Sequence, residues 1–184
     1  MDSLAGQIGL GVALAACAGL RAFVPLLVAG VAARLELLPL AARFEWLASD
    51  AALVVFGVAV VVEIAADKIP LVDHALDLVA TLLKPAAGTV LAAGMLGDLG
   101  PVESTALGLV TGGGVAATVH VAKAKLRVVS TLATVGLANP LLSLLEDVLA
   151  FAGAVATVLV PLVLLGVVLV AALGALFFFA ARRR

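Results

Sequence analysis

The sequence predicts an all-α integral membrane protein with about six transmembrane helices in a single domain, residues 1–184. Hydrophobic residues make up 65% of the chain, charged residues make up 12%, and the mean hydropathy is +1.31. Soluble domains are nearer half apolar and a quarter charged. Because each membrane pass needs ~20 apolar residues, a chain of 184 residues has room for about six passes and little else.

Apolar runs occupy most of the chain and are separated by short polar segments. The first run, about 4–33, contains Pro25, which predicts a kink or a break near Arg21. Residues 34–50 mix charges with Trp46, as an interfacial loop does. Further apolar runs lie at about 51–66, 85–97, 104–122, 140–152 and 154–181, and amphipathic segments lie at 67–84 and 123–138. These two amphipathic segments are compatible with re-entrant, interfacial or spanning positions.

The positions of Lys and Arg predict the orientation of the protein in the membrane. The clearest basic segments are 123–127 and 182–184, whereas the loop 98–103 has no Lys or Arg. Because basic loops stay in the cytoplasm, both termini are expected there. Residues 1–10 lack a basic n-region and are expected to begin a retained helix. The net charge of −1 offers no basic surface to phosphates, so nucleic acid is not an expected partner.

An internal repeat is indicated by a shift of about 55 residues, which aligns two units, about 51–98 and 106–153. In this alignment Pro85 falls on Pro140. Proline suits the first turn of a helix, so each unit is predicted to contain a broken or re-entrant helix that restarts at its proline. Repeated broken helices are typical of a transporter site, and the two units would be parallel or inverted.

Acidic and polar side chains within these apolar surroundings predict the functional site. An ionised group at membrane depth costs at least ~2.5 kcal/mol and is therefore a candidate for function. Carboxylate, amide and hydroxyl oxygens suit hard cations such as magnesium, calcium, manganese or sodium. The predicted cation-binding residues are Glu63, Asp67, Asn139, Ser143, Glu146 and Asp147. Among them Glu63, Glu146 and Asp147 would be the ligands of a metal ion, and no other cofactor is expected.

Other charged residues are secondary candidates, and each also has a purely structural interpretation. Buried acids can pair with bases and fix the register of helices, and charges on an amphipathic segment can form a solvated face. A single histidine beside basic residues more often marks a membrane boundary than a ligand. No nucleophile with a neighbouring base is found in a suitable context, so an enzyme is not expected. The secondary candidates are Arg21, Lys68, Asp73, Asp77, Lys84, His120 and Lys123.

Four stretches carry a family resemblance: AGLRAFVPLL, EIAADKIPLVD, HVAKAKLR and GLANPLLSLLEDV. Together they resemble a bacterial family of small multi-pass membrane proteins, the domain of unknown function 4126, over nearly the whole chain. The resemblance implies a location in the bacterial inner (cytoplasmic) membrane and implies no activity. EIAADK is also similar to the Glu-x-Gly-Asp-Lys motif of a calcium and manganese exchanger family, although Ala66 replaces the glycine and the spacing is one residue longer.

The leading hypothesis from the sequence is a small secondary transporter or exchanger for a divalent metal or sodium, with proton coupling left open. One alternative is a carrier of an anionic lipid or another anion, bound at short helices that begin at Pro85 and Pro140. Its cationic partners would be Arg21, Lys68, Lys84, Lys123 and Arg127. Another alternative is a membrane scaffold that transports nothing. Glycine-rich faces, including 112–114, favour close helix contacts, so a homodimer in the lipid bilayer is expected.

Overall fold

Helices form all the regular structure in the part of the chain that the computed structural model describes. This part is the backbone of residues 3–67 and 70–182, with the side chains of these residues except 70–78 and 162–182. The all-α prediction is therefore confirmed for these residues. In chain order the elements are α1 (Leu4–Leu20), α2 (Phe23–Arg34), a 3₁₀ helix (Ala42–Ala48), α3 (Asp50–Ala66), α4 (Pro70–Met95), α5 (Pro101–Leu107), a π-helical turn (Gly108–Gly113), α6 (Gly114–Thr134) and α7 (Asn139–Arg182).

Two helical stretches of the described chain are long and apolar enough to cross a membrane. They are Pro101–Thr134, which joins α5, the π-helical turn and α6, and Asn139–Pro161 in α7. A third candidate results if the 3₁₀ helix and α3, which meet at 59°, are counted as one bent span. The apolar helices are consistent with a membrane protein, but six transmembrane helices are not confirmed. One reason is that the first apolar run is divided into two helices of 17 and 12 residues.

The break between α1 and α2 lies at Arg21, which has an extended backbone with φ −135° and ψ 117°. Pro25 accounts for it. In a continuous helix the N–H of residue 25 would bond to the carbonyl of Arg21, but proline has no N–H and its ring clashes with that carbonyl. The predicted interruption is thereby confirmed as a break.

The two prolines of the predicted repeat have different structural positions. Pro140 is the second residue of α7, as expected for a proline in a first turn. Pro85 lies inside α4, which continues through it. The prediction that a short helix restarts at Pro85 is therefore wrong, and the internal repeat is not confirmed. The physical reason is that α4 is enclosed by α1, α6 and the π-helical turn, and this packing holds a helix that proline would otherwise interrupt.

Close packing around α4 depends on glycine. A Cβ atom on Gly88 would lie 2.6 Å from the carbonyl oxygen of Gly112, a distance that real Cβ atoms essentially never show. The predicted close contact of the glycine run is thus confirmed at Gly112, whereas no atom of the described residues outside its own helix lies within 4 Å of the Cβ position of Gly114. Leu14, Leu91 and other buried apolar residues form the core around this contact. Outside it, α7 packs on α1 and α2, and α3 packs on α2.

Candidate functional site

The break between α1 and α2 exposes backbone groups that charged side chains satisfy. The ammonium of Lys123 donates a hydrogen bond to the carbonyl of Leu20 at the end of α1, at 3.3 Å. The carboxylate of Glu63 accepts from the N–H of Ala22 at 2.9 Å and from the N–H of Phe23 at 3.3 Å. A cation thus faces the negative end of α1 and an anion faces the positive end of α2. These contacts give both residues a structural role at the break.

Arg21 is the centre of the charged site and is only 1% exposed. Its Nη2 lies 2.6 Å from Asp67 Oδ2, and its Nε lies 2.6 Å from Asp147 Oδ1, although the latter contact is not aligned as a hydrogen bond. Nη2 also donates to Ser143 Oγ at 3.0 Å, and Nη1 donates to the carbonyl of Glu63 at 3.4 Å. One guanidinium therefore links α3 and α7 at the helix break.

A second set of ion pairs extends the site onto α6. Arg127 Nη2 lies 2.8 Å from Asp67 Oδ2 and 3.0 Å from Glu146 Oε2. Lys123 Nζ lies 2.9 Å from the same oxygen of Glu146, and Ser143 Oγ donates to Asp67 Oδ2 at 3.1 Å. Asp67 is therefore contacted by two guanidinium groups and a hydroxyl. Removing one partner of such a buried pair leaves an uncompensated charge, so these residues depend on one another.

Lys84 on α4 has different surroundings from the other bases. It is 2% exposed, and its Nζ lies 3.2 Å from Nδ1 of His120, whose Nε2 lies 3.5 Å from Thr81 Oγ1. Among the residues whose side chains are described, the ion pairs of the site involve the other bases, and none involves Lys84. Within the described part of the chain, Lys84 is thus a buried lysine without a carboxylate in ion-pair contact.

A cavity of about 510 Å³ reaches this site. Its charged lining comes from Arg21, Glu63, Asp67, Lys84 and Lys123. The remaining lining residues are mainly apolar and lie on α3, α4 and the start of α2; they are Ala22, Phe23, Val54, Val55, Val58, Ala59, Val62, Ala80 and Leu83. Its volume is within the range of small-molecule pockets, and its lining is of the kind such pockets have: apolar walls with a few polar groups at one end.

Most of the residues predicted for the site come together there. Five of the six primary candidates take part in the network: Glu63, Asp67, Ser143, Glu146 and Asp147. Asn139 does not, because its Nδ2 donates to Thr131 Oγ1 at 2.9 Å, outside the network. Of the secondary candidates, Arg21, Lys84, His120 and Lys123 lie in or beside the site. Lys68 and the side chains of Asp73 and Asp77 are outside the described residues.

Arg127 is the residue whose importance the sequence understated. The sequence indicates Arg127 only as one of several bases for an anion carrier, yet in the structure it bridges Asp67 and Glu146. Its spacing of four residues from Lys123 on α6 places both on one helix face, and this is the signal that could have assigned it to the site.

The predicted metal ligands do not meet at one point. Among the described residues, no group of three or more His, Cys, Asp or Glu has an arrangement that could hold a metal ion. Glu63 faces the N-terminus of α2, Glu146 faces Lys123, and Asp147 faces Arg21. Each carboxylate is directed to its own donor, so a cation would have to displace a base from Glu146 or Asp147, or the backbone N–H groups from Glu63, to bind. Cation binding at these residues stays a prediction.

The fold and the site together define an all-helical protein whose apolar helices are consistent with a membrane protein and whose buried charges meet at a helix break. The chain belongs to the family described as a domain of unknown function (DUF4126), which it matches over residues 8–183. No curated protein and no solved structure matches the chain.

Proposed function

We propose that the protein is a small membrane carrier that binds an anionic group of its substrate in the cavity beside the α1–α2 break, with Lys84 as the principal cation. The observation that carries this proposal is the contrast between Lys84 and the acids of the site. Glu63, Asp67, Glu146 and Asp147 each contact a donor or a base, whereas Lys84 is buried in the cavity wall without an ion-pair partner among the described residues.

The charge of the cavity lining supports an anion. Three bases, Arg21, Lys84 and Lys123, line the cavity. Arg21 contacts Asp67 and Asp147, and Lys123 contacts Glu146, so Lys84 is the lining base that has no carboxylate in ion-pair contact among the described side chains. Burial of an unpaired charge is costly, and a bound anion would remove that cost for Lys84. A cation in the cavity would instead lie beside the ammonium of Lys84, which disfavours its binding.

The discontinuous helix supports transport as the activity. A helix interrupted within a bilayer is tolerated where it is buried in protein or lines a cavity, and broken helices are a recurrent feature of transporter binding sites. Arg21 lies on the break and also lines the cavity, so a ligand there would be next to the interruption. The cation transporter predicted from the sequence would bind its substrate at the acids of this site. There the cation would have to displace Lys123, Arg127 or Arg21 from their carboxylate partners.

Flux measurements in proteoliposomes test this function. Labelled phosphate, sulfate and acetate form the anion arm, and sodium and manganese form the cation arm. We expect anion flux with the wild type and with Lys125→Met, and a loss of flux with Lys84→Met. Lys125 is the matched control because it is an exposed lysine on α6 that does not line this cavity. Flux of cations alone, or full anion flux in Lys84→Met, would contradict the proposal.

A further inference from the structure

The cavity has an apolar half whose walls are open to the outside of the protein. Val54, Val58 and Val62 follow one another at four-residue spacing and form a stripe along α3, about 12 Å long at 1.5 Å per residue. They are 66%, 60% and 54% exposed although they line the cavity. Leu83 on α4 stands opposite this stripe and is 38% exposed. The cavity therefore opens sideways between α3 and α4.

The stripe leads to the charged end of the cavity. Glu63 follows Val62 on α3, Asp67 comes directly after the end of α3, and Lys84 follows Leu83 on α4. The cavity thus has apolar walls at its open end and charged groups at its buried end. A small hydrophilic anion would use only the charged end and would leave the valine stripe without a ligand.

From this arrangement we infer that the substrate is an anionic lipid of the surrounding bilayer, which enters sideways between α3 and α4. Its acyl chain lies on the valine stripe and its head group meets Lys84, Arg21 and Lys123. This inference rests on the proposed function and adds the chemical class of the substrate. A lipid head group with one negative charge would be the counter-ion of Lys84, which contacts no carboxylate among the described side chains. An opening in the side of a membrane helix pair faces acyl chains, so a lipid reaches it without crossing water.

Lipid retention in nanodiscs tests the inference with a pair of matched variants. The protein is placed in mixtures of phosphatidylglycerol and phosphatidylcholine, and native mass spectrometry counts the lipids that stay bound. Val58→Trp fills the middle of the stripe. Val61→Trp is the control, because Val61 is 67% exposed on the same helix but does not line the cavity. We expect the wild type and Val61→Trp to retain phosphatidylglycerol preferentially, and Val58→Trp to retain about tenfold less.

A soluble head-group analogue separates this inference from the proposed function. Glycerol phosphate should raise the unfolding temperature of the wild type and of Val58→Trp, since the variant leaves the charged end intact, but not of Lys84→Met. Equal retention of phosphatidylglycerol by Val58→Trp and Val61→Trp would overturn the lipid inference. Binding of glycerol phosphate without lipid retention would also overturn it while supporting the anion carrier. If neither compound binds to the wild type, both proposals fail.

Discussion

Glu63 on α3 caps the N-terminus of α2 at Ala22, across 41 positions of sequence, through a hydrogen bond of 2.9 Å from the backbone N–H. A helix that starts in apolar surroundings needs an acceptor for its first N–H groups. Glu63 supplies one from another helix, and its charge is also favourable at the positive end of α2. Glu63, an acid in the apolar helix α3, therefore stabilises the break between α1 and α2.

Replacing Glu63 with Gln is expected to lower the stability of the protein. The carboxylate of Glu63 accepts hydrogen bonds from the N–H groups of Ala22 and Phe23 with two charged oxygens. The amide of Gln has only one acceptor oxygen, and it is neutral, so one hydrogen bond is lost and the other is no longer charge-assisted. The expected loss is ~1–3 kcal/mol of unfolding free energy. Denaturant unfolding in detergent micelles measures it. Glu45→Gln is the control, because Glu45 is exposed; equal stability of the two variants would refute the capping role.

Asp67→Asn is expected to destabilise the protein more strongly. The substitution removes the shared partner of Arg21 and Arg127 and leaves both guanidinium groups with one counter-ion fewer. Loss of one partner from a buried ion pair costs about 3–5 kcal/mol. The matched comparison is Asp50→Asn, which breaks an exposed pair with Arg34 and should change stability by less than about 1 kcal/mol. Similar unfolding midpoints for the two variants would show that the network around Asp67 does not stabilise the fold.

Gly112→Ala and Gly114→Ala should have opposite consequences although they lie in one glycine run. A methyl group at Gly112 meets the backbone of Gly88 on α4, and such overpacking costs ~1–3 kcal/mol. At the Cβ position of Gly114 no neighbouring atom of the described side chains lies within 4 Å, and alanine favours a helix over glycine by about 1 kcal/mol. Thermal unfolding of both variants in detergent distinguishes them. A neutral Gly112→Ala would contradict the close contact between α4 and the π-helical turn.

The sequence predicted features whose causes are local. Pro25 breaks the first apolar run because its effect acts on the preceding turn, whatever the rest of the chain does. The acids near the start of α7, Glu146 and Asp147, are also predicted from the sequence, since ionised groups are conspicuous in an apolar run. Ser143 and Glu146 are three residues apart, a spacing that places them on one helix face, and both lie in the network.

The partners of these acids could not be predicted because they depend on long-range packing. Arg127 is 60 positions from Asp67, and Lys123 is 103 positions from the Leu20 carbonyl that it contacts. No periodicity in the sequence relates such positions. Pro85 illustrates the same limit, since the neighbours of α4 decide that the helix continues through it. Without knowledge of these partners, the carboxylates resemble free ligands for a cation, and the sequence therefore predicts a metal site.

A binding titration of wild-type protein and Lys84→Met with inorganic phosphate, glycerol phosphate and manganese tests the central claim most directly. Isothermal calorimetry in neutral nanodiscs measures affinity, and Lys125→Met serves as the control. We predict saturable binding of at least one anion to the wild type and to Lys125→Met, a loss of that binding in Lys84→Met, and no binding of manganese. Saturable binding of manganese to the wild type, together with anion binding by Lys84→Met at the affinity of the wild type, would contradict an anion site at Lys84.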